Sequence, residues 1–104
     1  MQDKYIVTAE QTKKWGMSLL TKCNLNAEDA AVVVDKLVQS NLRGIDTHGI
    51  ELIRHYARRF TRIKTRPIEV LKDNETTCLI DAGDGYGILA SHAAMTKCIE
   101  KAEK

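Results

Sequence analysis

Two short strand-like runs, and only two, interrupt a chain that otherwise repeats its apolar residues at helical spacing. Ile68-Glu69-Val70-Leu71-Lys72 and Thr76-Thr77-Cys78-Leu79-Ile80-Asp81 flank Asp73-Asn74-Glu75, whose composition is that of a turn, so the pair reads as a hairpin. A two-stranded sheet is marginal by itself in water. The hairpin therefore either packs on the chain's own helices or needs further strands. The expected class is α+β, with three N-terminal helices, a β-hairpin and a C-terminal helix.

The helices carry their own punctuation. Thr8-Ala9-Glu10-Gln11 has the form of a capping box, and Trp15, Leu19 and Leu20 share a face of the helix it opens, which should end near Lys22–Asn24. Asn26 caps a second helix, with Glu28 and Asp29 in its first turn and Ala30, Val34, Leu37 and Val38 at helical spacing; Gly44 ends it. A third helix is expected from about Asp46–His48 to about Phe60, with Ile50, Ile53, Ala57 and Phe60 as its core stripe. Pro67 breaks the chain before the hairpin, and a last helix follows from about Ile88 to Ala102, with Leu89, Ala93, Cys98 or Ile99, and Ala102 inward.

Composition narrows the class. At 104 residues, 43% hydrophobic and 29% charged, the chain suits one small soluble domain, and with 5% aromatics its core must rest on aliphatic residues. No apolar run is long enough to span a bilayer, and the opening MQDKYIVTAEQTKKW lacks the apolar stretch of a secretory signal. Three widely spaced cysteines, Cys23, Cys78 and Cys98, fit reduced thiols in a cytoplasm better than a disulfide framework. No Cys/His cluster has metal-ligand spacing.

The net charge of +2 is unevenly spread. Arg54, Arg58, Arg59, Arg62, Lys64 and Arg66 follow one another with no acid among them. A solvated helix face with its trailing loop is the plainest account. A contact for an anionic ligand or substrate is the second. Nucleic acid comes last, because no aromatic platform accompanies the charges.

The third helix concentrates the reactive groups. At 100° per residue His48, Leu52, His55, Tyr56 and Arg59 fall within an arc of about 100°, beside the core stripe. One helix would then present an oily face and a second face with two imidazoles, a phenol and a guanidinium. His48, in the first turn, is the candidate to exchange a proton with a carbonyl or alcohol oxygen; the alternative is an ordinary polar residue at a helix start. His55 and His92 read as surface or packing residues. Gly83-Asp84-Gly85-Tyr86-Gly87 lies between a strand and a helix but is not GxGxxG. It lacks a phosphate-binding lysine and carries an acid that would repel phosphate, so it reads as a tight turn.

Leu42-Arg43-Gly44-Ile45-Asp46-Thr47-His48-Gly49-Ile50 resembles the D-L-R-G-V-D-S-H-G-V signature of the malate/L-lactate dehydrogenase family, which includes ureidoglycolate dehydrogenase, sulfolactate dehydrogenase and diketogulonate reductase. Leu79-Ile80-Asp81-Ala82-Gly83-Asp84-Gly85-Tyr86-Gly87 resembles the family's LDGDNGLG segment, and the stretch from Ala93 to Ala102 its A-M-x-x-A-I-E-K-A helix. The likeness covers nearly the whole chain in order. It implies an NAD- or NADP-dependent oxidoreductase that moves a hydride to or from a small 2-hydroxy or 2-keto acid of malate, lactate or ureidoglycolate type, as a cytoplasmic homodimer. It also implies that the chain is an N-terminal, substrate-side segment of a larger α/β enzyme, with no cofactor domain of its own and no activity alone.

By the same resemblance His48 is the catalytic histidine near the substrate carbonyl, Thr47 stands for the usual serine, and Tyr56 lines the substrate pocket. Leu52 replaces a common arginine four residues after the histidine, which leaves Arg59 as the cation for a substrate carboxylate. Thr61-Arg62-Ile63-Lys64-Thr65 stands where the family tends to have a glycine-containing turn. Two other readings compete: a non-catalytic helical module that pairs through the hairpin edge, and an anion- or nucleic-acid-binding domain using Arg54 to Arg66.

Overall fold

In the computed structural model, which describes residues 5–104, helix α1 (Ala9–Leu20) starts where the capping box places it. The Thr8 hydroxyl accepts from the Gln11 N–H at 3.1 Å, and the Gln11 side chain accepts from the Thr8 N–H at 3.0 Å. Helix α2 (Ala27–Leu42) starts in the same way, with the Asn26 side-chain oxygen accepting from the Asp29 N–H at 2.8 Å. It ends in a Schellman motif: the Gly44 N–H donates to Asn41 O and the Ile45 N–H to Ser40 O, both at 2.9 Å. Gly44 makes the reversal with φ +78°, a left-handed conformation that favours glycine.

The described residues up to Thr61 form one compact unit and Arg62–Lys104 another. In the first, α1 packs on α2, and helix α3 (Ile53–Phe60) closes against α1. Its core is Leu20, Ala30, Val33, Val34, Leu37, Val38, Ile53 and Phe60. The expected stripe of α2 is buried as read. On α1 the emphasis differs, because Trp15 is 52% exposed and Gly16 and Leu20 face inward. Gly16 sets this face: a Cβ there would stand 3.0–3.2 Å from the Val34 methyls and the Ile53 side chain, so only glycine lets the helices approach so closely.

The second unit holds strands β1 (Glu69–Asp73) and β2 (Cys78–Asp81), paired antiparallel, and helix α4 (Gly87–Ala102), which packs on β2. Val70 faces Ile80 and Lys72 faces Leu79, so Leu71 is the extra residue of a bulge. Leu89 and Ala93 are half-buried, but Cys98, Ile99 and Ala102, expected inward, are exposed. A two-stranded ribbon is too narrow to cover the length of a sixteen-residue helix. Polar clasps hold this unit. The Lys101 ammonium bonds to the Asp73 carboxylate and the Asn74 carbonyl, which draws the Asp73 carboxyl below its ordinary range and raises Lys101. Arg66 reaches Asp84 at 3.3 Å and Asp81 at 3.6 Å. No helix among the described residues is long and apolar enough to cross a membrane.

Candidate active-site segment

Between α2 and α3 the backbone does not run as the continuous helix expected. Asp46–His48 form a single 3-10 turn, closed by the His48 N–H to Ile45 O and the Gly49 N–H to Asp46 O, both at 3.1 Å. Gly49 then adopts φ −101° and ψ −150°, an extended conformation that interrupts the spiral. A second 3-10 turn, Ile50–Leu52, leads into α3. The common arc of His48, Leu52, His55, Tyr56 and Arg59 is therefore not formed, since a 3-10 turn advances about 120° per residue and Gly49 breaks the count. His48 lies in its own short turn, not at the positive end of a long helix.

The cause is a bond that crosses from α2. The Asn41 side-chain oxygen accepts from the Ile50 N–H at 2.8 Å, and its amide donates to the Asp46 carboxylate at 2.8 Å. One side chain thus fastens both ends of the segment that carries Thr47 and His48. Gly49 is buried against it, where a Cβ would fall 2.3 Å from the Asn41 oxygen. Sequence reading reaches neither Asn41 nor Gly49, because the contact spans nine residues and has no local pattern. A glycine immediately after a histidine inside a supposed helix is the one available signal.

His48 is exposed, and its Nδ1 lies 3.0 Å from the Thr47 hydroxyl. The hydroxyl can donate to Nδ1 in one neutral tautomer, or accept from Nδ1–H in the other and in the imidazolium, so the pairing survives either state. Nε2 is then the nitrogen available to a bound molecule. Tyr56 is half-buried on α3, stacked on Phe60 at 6.1 Å and meeting His55 edge-on at 5.7 Å. Arg59, one turn on, is exposed. Leu52 is half-buried at the N-cap of α3, where it offers no charge. Among the described residues no hydrogen bond, ion pair or ring contact joins Thr47 and His48 to Tyr56 or Arg59; of the four, only Thr47 and His48 are in contact. A cavity of about 380 Å³ has Asn41, Asp46 and Ile50 in its wall but none of those four.

The glycine loop is a turn, as read. Gly83 and Asp84 have φ +66° and +55°, and the Gly85 N–H closes back on Ala82 O at 3.1 Å. Its polar groups are engaged internally: the Gly83 N–H donates to Asp81 and the Gly83 carbonyl accepts from the Arg66 N–H, each at 2.8 Å. With these N–H groups turned inward and Asp84 at its apex, this loop does not fit the pyrophosphate of a dinucleotide.

The sequence profile of a family described as malate/L-lactate dehydrogenase matches residues 7–104. Malate dehydrogenase of Pyrococcus abyssi is 34% identical over 89 residues, 83% of this chain and 25% of that protein. L-sulfolactate dehydrogenase of Methanocaldococcus jannaschii is 32% identical over 101 residues, 94% of this chain and 29% of that protein. The solved structure of malate dehydrogenase from Pyrococcus horikoshii superposes with a TM-score of 0.84 at 26% identity, covering 98% of this chain and 32% of that one. This chain therefore spans about a quarter to a third of the length of these relatives. Matched along nearly all of its sequence and in its fold, it belongs to the malate/L-lactate dehydrogenase family of enzymes.

Proposed function

We propose that this chain forms the substrate-side segment of an oxidoreductase that transfers a hydride between NAD or NADP and a small 2-hydroxy or 2-keto acid of malate, lactate or ureidoglycolate type. Sulfolactate is a further substrate of this class, as the name of one relative states. The observation that carries the reading is His48: exposed, fastened at Nδ1 by Thr47, and within the stretch the family profile matches.

In the oxidation of a 2-hydroxy acid the hydroxyl proton leaves to Nε2 of His48 while C2 gives up a hydride. In the reverse direction the same nitrogen returns the proton to the carbonyl oxygen. Thr47 accepts from Nδ1–H and so holds the ring in the tautomer whose Nε2 can take the proton, Tyr56 supplies a wall of the substrate pocket, and Arg59 pairs with the carboxylate that Leu52 cannot bind. The hydride partner is a nicotinamide, for which the loop after β2 offers no cradle, so this reading places the cofactor outside the residues described. It also makes the chain inactive alone.

In the enzyme that carries this segment, His48→Ala should lower turnover by about 10²–10⁴-fold. An unchanged rate would remove His48 from the mechanism. The chain by itself should not bind NADH or NADPH at micromolar strength; tight binding would sink the division of labour.

A second reading, self-association to a homodimer, is favoured by the open hairpin with Val70, Leu71 and Leu79 each about half exposed. Sedimentation would decide it, since a strictly monomeric chain at high concentration excludes pairing through that edge.

A further inference from the structure

We propose that Asn41 is a positioning residue for His48, and that Gly49 is glycine because it must make room for the Asn41 amide. This deepens, and rests on, the reading of His48 as the proton-exchanging group. The imidazole sits on the part of the segment least held by packing: Asp46, Thr47 and His48 are all exposed, in a single three-residue turn. Asn41 supplies what is missing. It lies in the last turn of α2, shortly after the buried residues Leu37 and Val38, so its own backbone is fixed by the packed helix. From there its oxygen takes the Ile50 N–H and its amide holds the Asp46 carboxylate, with the histidine between the two fastened points.

The geometry distinguishes a clasp from a casual surface bond. Both functional ends of one amide are used, each at 2.8 Å, and each contact lies outside the helix that carries Asn41. The neighbouring glycine does not owe its place to backbone conformation, since φ −101° is open to any residue. It owes it to space: an added Cβ would come within 2.3–2.5 Å of the Asn41 oxygen, carbon and nitrogen. A residue with a side chain at position 49 and an amide lying flat at position 41 exclude each other. Because a misplacement of about 1 Å from the productive position can cost about a hundredfold in rate, a loosened segment lowers turnover without removing any group that touches substrate.

The test uses the isotopically labelled 104-residue chain. Asn41→Ala should speed hydrogen exchange of the Ile50 amide about tenfold and shift the His48 ring-nitrogen signals as the Thr47 pairing loosens. Asn41→Asp keeps the size and the acceptor for Ile50 but sets a carboxylate against Asp46. It should leave the Ile50 amide protected while still moving the His48 ring signals, and it serves should Asn41→Ala fail to fold. His48 signals identical to those of the unaltered chain in either folded variant would overturn the proposal. In the turnover-competent enzyme both variants should lower kcat by about tenfold to a hundredfold with KM nearly unchanged; a rise in KM alone would also overturn it. If His48→Ala leaves turnover intact while Asn41→Ala moves the His48 ring, the clasp stands and the catalytic reading falls. The reverse pattern fells the clasp alone.

Discussion

Helices α2 and α4 are both sixteen residues long, yet α2 buries five residues and α4 buries none. The difference lies less in the helices than in what faces them. α2 meets α1 on one side and the two 3-10 turns on another. α4 meets a two-stranded ribbon, and Met95 and Ile99 on its surface stay more than half exposed. The contrast extends to the units that contain them. Among the described residues, all eight buried apolar side chains lie in the unit that ends at Thr61, and from Arg62 to Lys104 no apolar side chain is buried. An amphipathic pattern states that a helix has an inner face; whether that face is covered depends on surface supplied by other elements. The first unit stands on apolar packing, and the second on polar clasps around half-covered hydrophobic residues.

The contrast is broken most directly by matched truncations. Phe60→Ala empties a fully buried site and removes the stacking partner of Tyr56. It should destabilise the first unit by about 3–5 kcal/mol. Trp15, the only tryptophan, lies in that unit and reports its urea unfolding by fluorescence. Leu79→Ala removes a side chain that is already half in water, and should cost less than about 1 kcal/mol. Equal costs for the two would show that the second unit has a core of comparable worth.

The next largest effect belongs to Gly83→Ala, which attacks the second unit where its backbone is tightest. A Cβ there would stand 2.1 Å from the Arg66 carbonyl oxygen, at a φ of +66° that an L side chain resists. The atoms it would meet are backbone, not the end of a flexible side chain, so the segments must part, at a cost of at least about 2 kcal/mol. The Arg66 amide, which donates to Gly83 O, should lose its protection in hydrogen exchange, while Trp15 fluorescence unfolds as before. A shift in the Trp15 transition would mean that the two units do not unfold independently.

Much of this is legible in the sequence, and the failures have a common cause. The caps at Thr8 and Asn26, the stop at Gly44, the buried stripe of α2 and the hairpin all follow from residues a few positions apart. What fails depends on distant partners. Period alone places Trp15 inward, but Gly16, by letting Val34 approach, turns the face toward itself. Spacing starts the third helix near His48, because Ile50 and Ile53 continue its stripe. The Asn41 amide nine residues away overrides that spacing and divides the segment into two turns. The sequence therefore names the candidate residues Thr47, His48, Tyr56 and Arg59, but not the break in the backbone that separates the first two from the helix carrying the others.

Gly16→Ala sharpens the account of the first unit with a smaller effect, because two terms oppose. Alanine gains about 1 kcal/mol of helix propensity over glycine inside α1. The new methyl meets the Val34 methyls at 3.0 and 3.1 Å and Ile53 at 3.2 Å. Overpacking of that kind costs about 1–3 kcal/mol. Net destabilisation of about 1 kcal/mol is expected from the Trp15 urea midpoint. Net stabilisation would show that the α1–α2 approach has slack, and that Trp15 is held outward by something other than close packing at Gly16.

The smallest effect, and the one most specific to a unit built on clasps, is the pH dependence of the hairpin tip. Lys101 bonds to Asp73 and holds that carboxyl below its ordinary 3.8, so its contribution is complete above that value and is lost as pH falls through the lowered one. The bond to Asp73 raises Lys101 above 10.5, so its contribution is complete below that value and is lost as pH rises through the raised one. Between these limits the clasp is flat with pH. The Asn74 amide, which donates to Thr77 O in the turn, should therefore exchange with a constant protection factor at neutral pH and lose protection at the acid end. The Asp73 carboxylate is half in water, so the loss is modest and salt should shrink it. Asp73→Asn should remove the acid limb while leaving the fluorescence of Trp15 unchanged across the same range. A variant that keeps the acid limb would assign it to a carboxyl other than Asp73, since the Asn74 carbonyl that Lys101 also holds carries no titrating proton.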